Sequence, residues 1–463
     1  MKSSINLPYI ITISMISAMG GLLFGYDWVV IGGAKPFYER YFDILNFPNL
    51  QGWAMSSALI GCLIGAGISG SITEKYGRKK PLLLSSVLFI ISAIGAGAAD
   101  SFGSFMIMRA IGGIGIGLAS NLSPMYIAEI SPAHIRGKMV SLNQLTIVIG
   151  ILAAQLVNWK IAEPIAATAT NLDILNSWNG QIGWRWMFWA AGFPAMAFFV
   201  LMFFVPESPR WLANNGKTGA AFKILTRLTG EETAQKDMDA IHDTLKQSTS
   251  KIAYRKLFSG KTGKIMILGI ILAVFQQWCG INVVFNYADE IFSAAGYRVS
   301  DILFNILLTG IVNLIFTFVA ILTVDRWGRK SLMILGAGGL ACIYIIISIV
   351  YFMHLKGLIL LILVVTAIAV YAMSMAPVTW VILSEIFPNK IRGQAMAIAT
   401  LSLWVACLIL TFTFPLLNKF LGTSGTFILY SLICVFGLFY IFKYLPETKG
   451  KSLEQIEKDF DGE

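Results

Sequence analysis

Two ionisable residues lie deepest in otherwise apolar runs, Asp27 and Arg109. A charge in hydrocarbon is retained where it is paired or functional. Measured inward from Lys35 and Asp100, which mark the outer ends of their runs, each lies roughly 12 to 14 Å deep along a helix. The two runs cross in opposite directions, yet the depths match, which makes a carboxylate and a guanidinium natural partners. Such a pair is either a fixed strut or a switch. Burial favours the neutral acid and a nearby guanidinium the carboxylate, so a change in their separation would alter the proton affinity of Asp27.

A second set of residues could bind an uncharged polar ligand. The stretch from Phe275 to Tyr287 carries Gln276, Gln277, Asn282 and Asn286, an unusual density of amides for an apolar run. Gln276 and Asn313 both fall roughly 18 Å inside their helices, near the midplane, and Gln144 offers another amide from the first half. Amides present donors and acceptors that match sugar hydroxyls, and Phe24 and Trp380 can pack on the apolar face of a ring. About five such bonds at about 1 kcal/mol each give an affinity of the order of 0.1 to 1 mM, which suits a site that must release its cargo. The run Gly113-x-Gly115-x-Gly117 lies inside an apolar span with no preceding strand, which excludes a dinucleotide site.

The elements that position these residues are membrane helices. The 463-residue chain is 56% hydrophobic and 13% charged, about half the charge of a soluble domain. About twelve apolar runs are long enough to cross a bilayer, near residues 8–34, 50–73, 80–99, 102–126, 138–159, 184–205, 264–292, 301–323, 330–353, 357–384, 393–417 and 424–444. Runs this long and continuous are helices rather than barrel strands, so the fold class is all-α. Lys2 and the run after it read as a first span, since the run outlasts a signal sequence. The net charge of +10 reflects cations gathered in alternate loops, which places those loops and both termini in the cytoplasm and gives no support for nucleic acid. The five cysteines have no paired spacing and read as free thiols, and the three scattered histidines form no metal site.

The chain also repeats itself. Glu74-Lys75-x-Gly77-Arg78-Lys79 returns as Asp325-Arg326-x-Gly328-Arg329-Lys330, and Glu129-Ile130-x-Pro132-x-x-Ile135-Arg136-Gly137 returns as Glu385-Ile386-x-Pro388-x-x-Ile391-Arg392-Gly393. Two motifs recurring at nearly one offset mark two homologous halves. The expected organisation is a six-helix bundle over 1–205, a cytoplasmic linker with short amphipathic helices over 206–263, a second bundle over 264–445 and a tail over 446–463. Gly61, Gly65, Gly112 and Gly115 would let helices approach closely.

With these motifs, and with Pro206-Glu207-Ser208-Pro209-Arg210-Trp211-Leu212, Gln276-Gln277 before Gly280-Ile281-Asn282, and Pro446-Glu447-Thr448-Lys449-Gly450, the chain resembles the sugar porter family of the major facilitator superfamily along nearly its whole length. The resemblance implies two six-helix bundles that rock around a central sugar site. It implies gate salt bridges on the cytoplasmic side from Glu74, Arg78, Glu129, Arg136, Glu207 and Arg210 in one half and Asp325, Arg329, Glu385, Arg392 and Glu447 in the other. It carries sugar contacts to Phe24, Gln144, Gln276, Gln277, Asn282, Asn313 and Trp380, with Asn286 and Trp404 as further candidates; Asn286 stands where a tyrosine is usual, Ala376 replaces a glycine, and Leu403 beside Trp404 replaces an amide. Leu23-Phe24-Gly25-Tyr26-Asp27 is similar to the bacterial proton-coupled xylose and hexose members, since facilitative animal carriers typically have asparagine at the last position. The function expected is therefore proton-coupled symport of a monosaccharide of the xylose, glucose or galactose type, in a bacterial inner membrane. The expected partners are sugar, proton and lipid bilayer, with a monomer as the working unit, no cofactor and no enzymatic activity. The alternatives are a facilitative uniporter, in which Asp27 is structural, and a transporter-like sugar sensor.

Overall fold

The computed structural model describes residues 5–132, 135–166, 169–247, 257–355, 357–387 and 391–449. Pro388 of the second repeated motif, Gly450 of the Pro446–Gly450 motif, and the side chains of the expected gate residues Asp325 and Arg392 lie outside the described residues. Described residues form helices and no strand. In hydrocarbon no water can satisfy backbone N–H and C=O groups, so an apolar chain closes its hydrogen bonds within each helix.

The first half runs through α1 (Leu7–Tyr41), α2 (Pro48–Tyr76), α3 (Lys79–Gly97), α4 (Phe102–Ile130) and α5 (Arg136–Ile161). A short α6 (Asn171–Asn176), capped by Thr170, precedes a π turn at Asn179–Gly183. The sixth span continues through α7 (Trp184–Ala190) and α8 (Gly192–Met202). The linker forms α9 (Pro209–Asn214), α10 (Thr218–Thr229) and α11 (Glu231–Gln247). The second half contains α12 (Gly260–Trp278), α13 (Ile281–Asn286), α14 (Ala288–Ala294), α15 (Val299–Trp327), α16 (Arg329–Phe352), α17 (Leu358–Met373), α18 (Met375–Ile386) and α19 (Arg392–Tyr444). Among the described residues eleven helical segments are long and apolar enough to cross a membrane. The last is interrupted at Gly422, where φ of 68° and ψ of 171° break the helix, so twelve crossings result. Phe193, Phe204 and Phe420 are more than 70% exposed, whereas Asp27, Lys35, Glu39 and Arg109 are buried. This inverted surface is what lipid requires.

The chain divides into two compact units, one of residues 1–28, 57–154 and 185–251 and the other of residues 29–56, 155–184 and 252–463. In the first unit α2 and α4 meet through small residues. A Cβ added at Gly61 or Gly113 would strike the backbone carbonyl of Ala110 or Ala58, so only glycine permits this approach. The linker helices enclose their own core of Leu212, Ala213, Ala221, Leu225, Ala234, Met238 and Ile241. They dock on the start of α1, where Asn6 N–H donates to the Leu228 carbonyl at 2.9 Å and Arg227 covers the Tyr9 ring. In the second unit α19 packs along α12 and α16.

Three spans differ from the sequence expectation. The run 264–292, read as one helix, breaks at Gly280, whose φ is +85°, and again at Tyr287. The run 357–384 breaks at Ser374. α1 continues to Tyr41 instead of ending near 34, and Lys35 is buried within it rather than marking its outer end. Carboxylate partners described below make that burial tolerable.

Replacing Gly113 with valine should overpack the α2 and α4 contact at a cost of about 1 to 3 kcal/mol. A lower melting temperature of the purified protein is expected, with Gly137→Ala, which faces open space, unchanged.

Candidate functional site

In the first unit α1 and α4 bring Asp27 and Arg109 together. Arg109 Nη1 donates to Asp27 Oδ1 at 2.6 Å, and Nη2 donates to the Asp27 backbone carbonyl at 3.2 Å. The guanidinium also lies 5.6 Å from the centre of the Phe188 ring. Asp27 is 7% and Arg109 2% exposed. The second carboxylate oxygen, Asp27 Oδ2, has no hydrogen-bond partner among the described residues, nor does nearby Ser92 Oγ. Gly112 borders both: a Cβ there would crowd Ser92 Oγ and come within 3.8 Å of Asp27 Oδ2. The arrangement is a charge pair with one oxygen left open to a proton.

Phe24 and Gln144 are half-buried in the same unit, on α1 and α5. Phe24 meets Trp28 edge to face at 5.9 Å. The two helices are in direct backbone contact, since Gly25 abuts the Ile147 carbonyl and Gly150 that of Leu22.

In the second unit the amides form a chain. Gln277 Nε2 donates to Gln276 Oε1 at 2.8 Å, and Asn282 Nδ2 donates to Gln277 Oε1 and toward Cys407 Sγ. The break at Gly280 makes this possible: a continuous helix would carry Asn282 away from Gln277, whereas the left-handed residue turns α13 back toward the end of α12. Broken helices at membrane depth are the usual architecture of transporter binding sites. Asn286, at the end of α13, is 4% exposed and its Oδ1 has no hydrogen-bond partner among the described residues. Asn313 and Trp404 are buried on α15 and α19, and Trp380 is half-buried on α18 beyond the break at Ser374. The hydrogen-bonded chain itself comprises Gln276, Gln277 and Asn282.

The repeated charges form the same device twice, once in each unit. Arg78 donates through Nε and Nη2 to Glu129 at 2.8 and 2.6 Å, and Ser208 Oγ donates to the same carboxylate. Arg329 Nη2 donates to Glu385 Oε1 at 3.1 Å, and Thr448 Oγ1 donates to Glu385 Oε2 at 2.6 Å. Glu207 and Glu447 were expected in salt bridges; their carboxylates instead receive backbone N–H groups. Glu207 accepts from Arg78 N and Lys79 N, and Glu447 from Arg329 N, Lys330 N and Lys449 N. The reason is local: Gly77 and Gly328, with φ of +86° and +88°, leave helix N-termini open to an anion. Arg136 likewise departs from the expectation, donating to the Ala128 carbonyl at 3.0 Å. Glu74 and Arg210 are exposed, with the Glu74 carbonyl accepting from Trp211 Nε1.

Sequence reasoning passed over Ser208 and Thr448 as partners of Glu129 and Glu385, although the Pro-Glu-Ser and Pro-Glu-Thr triplets were visible. It also missed Asp237 on α11, where burial pushes the carboxyl up against the opposing pull of Arg136 and Arg210. Lys35, Asp289 and Glu290 were missed as well; their signal was a lysine followed by glutamate four residues on, beside an Asp-Glu pair in the seventh span.

The fold and these paired motifs define a twelve-span secondary carrier. The profile of the family described as Sugar (and other) transporter matches residues 13–460, and the chain belongs to that family. It is 38% identical to the D-xylose-proton symporter of Escherichia coli (strain K12), over 99% of this chain and 97% of that protein. It is 37% identical to the arabinose-proton symporter of Bacillus subtilis (strain 168), over 98% and 95%. The inward open conformation of the xylose transporter XylE from E. coli superposes with a TM-score of 0.83 at 37% identity, covering 97% of this chain and 99% of that one.

Burial raises the Glu447 carboxyl, but backbone donors from Lys449, Arg329, Lys330 and Thr448 outweigh it and hold the group below its ordinary value of 4.5. A depressed acid contributes stability above its unfolded pKa and loses it as pH falls through the folded one. Wild type should therefore melt higher than Glu447→Gln at pH 7, and the gap should narrow as pH is taken below about 4.5, read by thermal unfolding of the purified pair.

Proposed function

We propose that this chain is a proton-coupled monosaccharide symporter working by alternating access, embedded as a multi-pass protein in a bacterial inner membrane with both termini in the cytoplasm. The observation that carries this reading is the buried Asp27 and Arg109 pair with its unpartnered carboxylate oxygen.

Asp27 Oδ2 is the atom that takes the proton. Once neutral, Asp27 attracts Arg109 less, and the guanidinium keeps two other contacts, the Asp27 carbonyl and the Phe188 ring, so it is not stranded without a partner. Protonation therefore loosens α1 from α4 at tolerable cost, and the opposite movement expels the proton. We assign Gln276, Gln277 and Asn282, with Asn286, Asn313, Trp380 and Trp404, to the sugar, and propose Phe24 and Gln144 as further contacts. The amides already bond one another, so a sugar hydroxyl exchanges one hydrogen bond for another, which keeps the affinity low and release easy. The halves at 1–205 and 264–445, joined by the linker 206–263 and followed by the tail 446–463, move as a monomer, with the cytoplasmic Arg-Glu devices holding each half's inner helix ends.

The test is uptake of labelled xylose, arabinose, glucose and galactose into proteoliposomes under an inward proton gradient. Gradient-driven accumulation of one sugar is expected in wild type. Asp27→Asn should abolish accumulation and keep counterflow; accumulation that survives the substitution removes Asp27 from coupling, and equilibration without accumulation in both proteins makes the chain a uniporter. Gln277→Ala, which removes about one or two net hydrogen bonds, should raise KM roughly five- to thirtyfold with smaller change in maximal rate.

A further inference from the structure

The outer end of α1 carries a charge cluster that neither the proton pair nor the amide chain uses. Lys35 is 1% exposed. Its ammonium meets Glu290 Oε1 at 2.5 Å, Asp289 Oδ2 at 3.2 Å and Glu39 Oε1 at 3.5 Å, and lies 5.2 Å from the centre of the Tyr287 ring. Lys35 and Glu39 come from the first span and Asp289 and Glu290 from α14 in the second half of the sequence, all within one compact unit. Gln51 Nε2 donates to Glu39 Oε2 and Asn418 Nδ2 to Glu290 Oε2. The remaining charged and titratable neighbours are Tyr38, Arg40 and Lys419. Arg40 donates to the Pro36 carbonyl and to Asn171, and Lys419 lines the same crevice of about 390 Å³. Asp289 Oδ1 is buried without a hydrogen-bond partner among the described residues.

One buried cation thus faces three carboxylates. We propose that Lys35 is a positioning residue for the transport cycle, holding the outer ends of α1 and α14 together, and that the carboxylate surplus makes this latch tighten when it takes up an external proton. The sign follows from the charge count. In a simple ion pair, neutralising either partner loosens the contact. Here loss of Lys35 leaves three carboxylates repelling one another, and the latch opens, whereas neutralising one carboxylate relieves repulsion and leaves Lys35 two acceptors, so the latch closes. An outside proton acts like the second change. The proposal rests on the alternating-access reading above, and is independent of Asp27 as the coupling site.

The experiment uses the full chain in proteoliposomes, with Asn286→Cys as reporter in a Cys342→Ser background, labelled from outside by a membrane-impermeant maleimide. Asn286 suits this because its backbone carbonyl packs against Gly32 of α1. Rates are normalised to the exposed Ser293→Cys, which removes the intrinsic pH dependence of the thiol. Lys35→Met should raise labelling roughly tenfold, a shift of one decade in the closed-to-open ratio, and Lys35→Arg should restore it. Glu39→Gln and a drop from pH 7.5 to 5.5 should each slow labelling, and acid should slow it less in Glu39→Gln. Faster labelling in Glu39→Gln, matching Lys35→Met, reduces the cluster to a plain strut and overturns the proposal; labelling unmoved by every change removes the latch altogether. If Lys35→Met fails to fold, the Glu39→Gln and pH arms decide alone. The same pattern is expected in an Asp27→Asn background, so loss of proton coupling there leaves this outcome readable.

Discussion

Hydrocarbon offers no water to a charge, and the rest of this molecule is organised around that constraint. Asp27 and Arg109 are tolerable at membrane depth because each is the other's solvent: one short contact between them, one backbone carbonyl and one aromatic face replace the lost hydration. The pair in turn fixes α1 against α4, and glycines at Gly112, Gly25 and Gly150 let helices come close enough for the geometry to hold. Because the environment is so unforgiving, a single proton changes the energy of the arrangement more than it would at a surface. That sensitivity is what a coupled carrier needs.

The helix ends that carry the repeated charges solve a different problem with one design used twice. A left-handed glycine ends the loop, the following helix begins with open N–H groups, and a glutamate from a distant segment closes them. The arginine that directly follows the glycine then reaches a second glutamate, which a serine or threonine hydroxyl steadies. The first copy is the tighter: Arg78 holds Glu129 with two nitrogens, whereas Arg329 holds Glu385 with Nη2 at 3.1 Å. Bidentate geometry fixes orientation as well as distance, so the two copies of the repeat are equal in plan and unequal in grip.

Much of this was legible in the sequence. Span positions follow from apolar length, and the twelve crossings agree with the expected ones once the last long segment is divided at Gly422. The meeting of Asp27 and Arg109 could be read from depth alone, although Lys35, used to measure that depth, is buried and not at a helix end. The error has a physical origin. Charge near a span terminus is usually solvated, and nothing in α1 by itself reveals the carboxylates of α14 that make Lys35 tolerable inside. Helix breaks were equally invisible, because Gly280 is one glycine among 43 and the Tyr430 ring that leaves no room for a Cβ there comes from a distant part of the chain. Glu207 and Glu447 were found as residues but assigned the wrong kind of partner, since a sequence shows charges plainly and open backbone N–H groups not at all.

The breaks in the seventh span connect these features. Gly280 and Tyr287 divide it into three short rigid pieces, α12 with Gln276 and Gln277, α13 with Asn282 and Asn286, and α14 with Asp289 and Glu290. A continuous helix would transmit any movement at its outer end straight to the amides. Tyr287, whose φ of −121° and ψ of 27° lie outside the helical basin, turns α14 away from α13, while its hydroxyl donates to the Thr411 carbonyl and α12 packs along α19. The helix that Lys35 contacts is therefore distinct from the helix that carries Gln276 and Gln277, and α13, bonded to Gln277 through Asn282, is the short element that joins them.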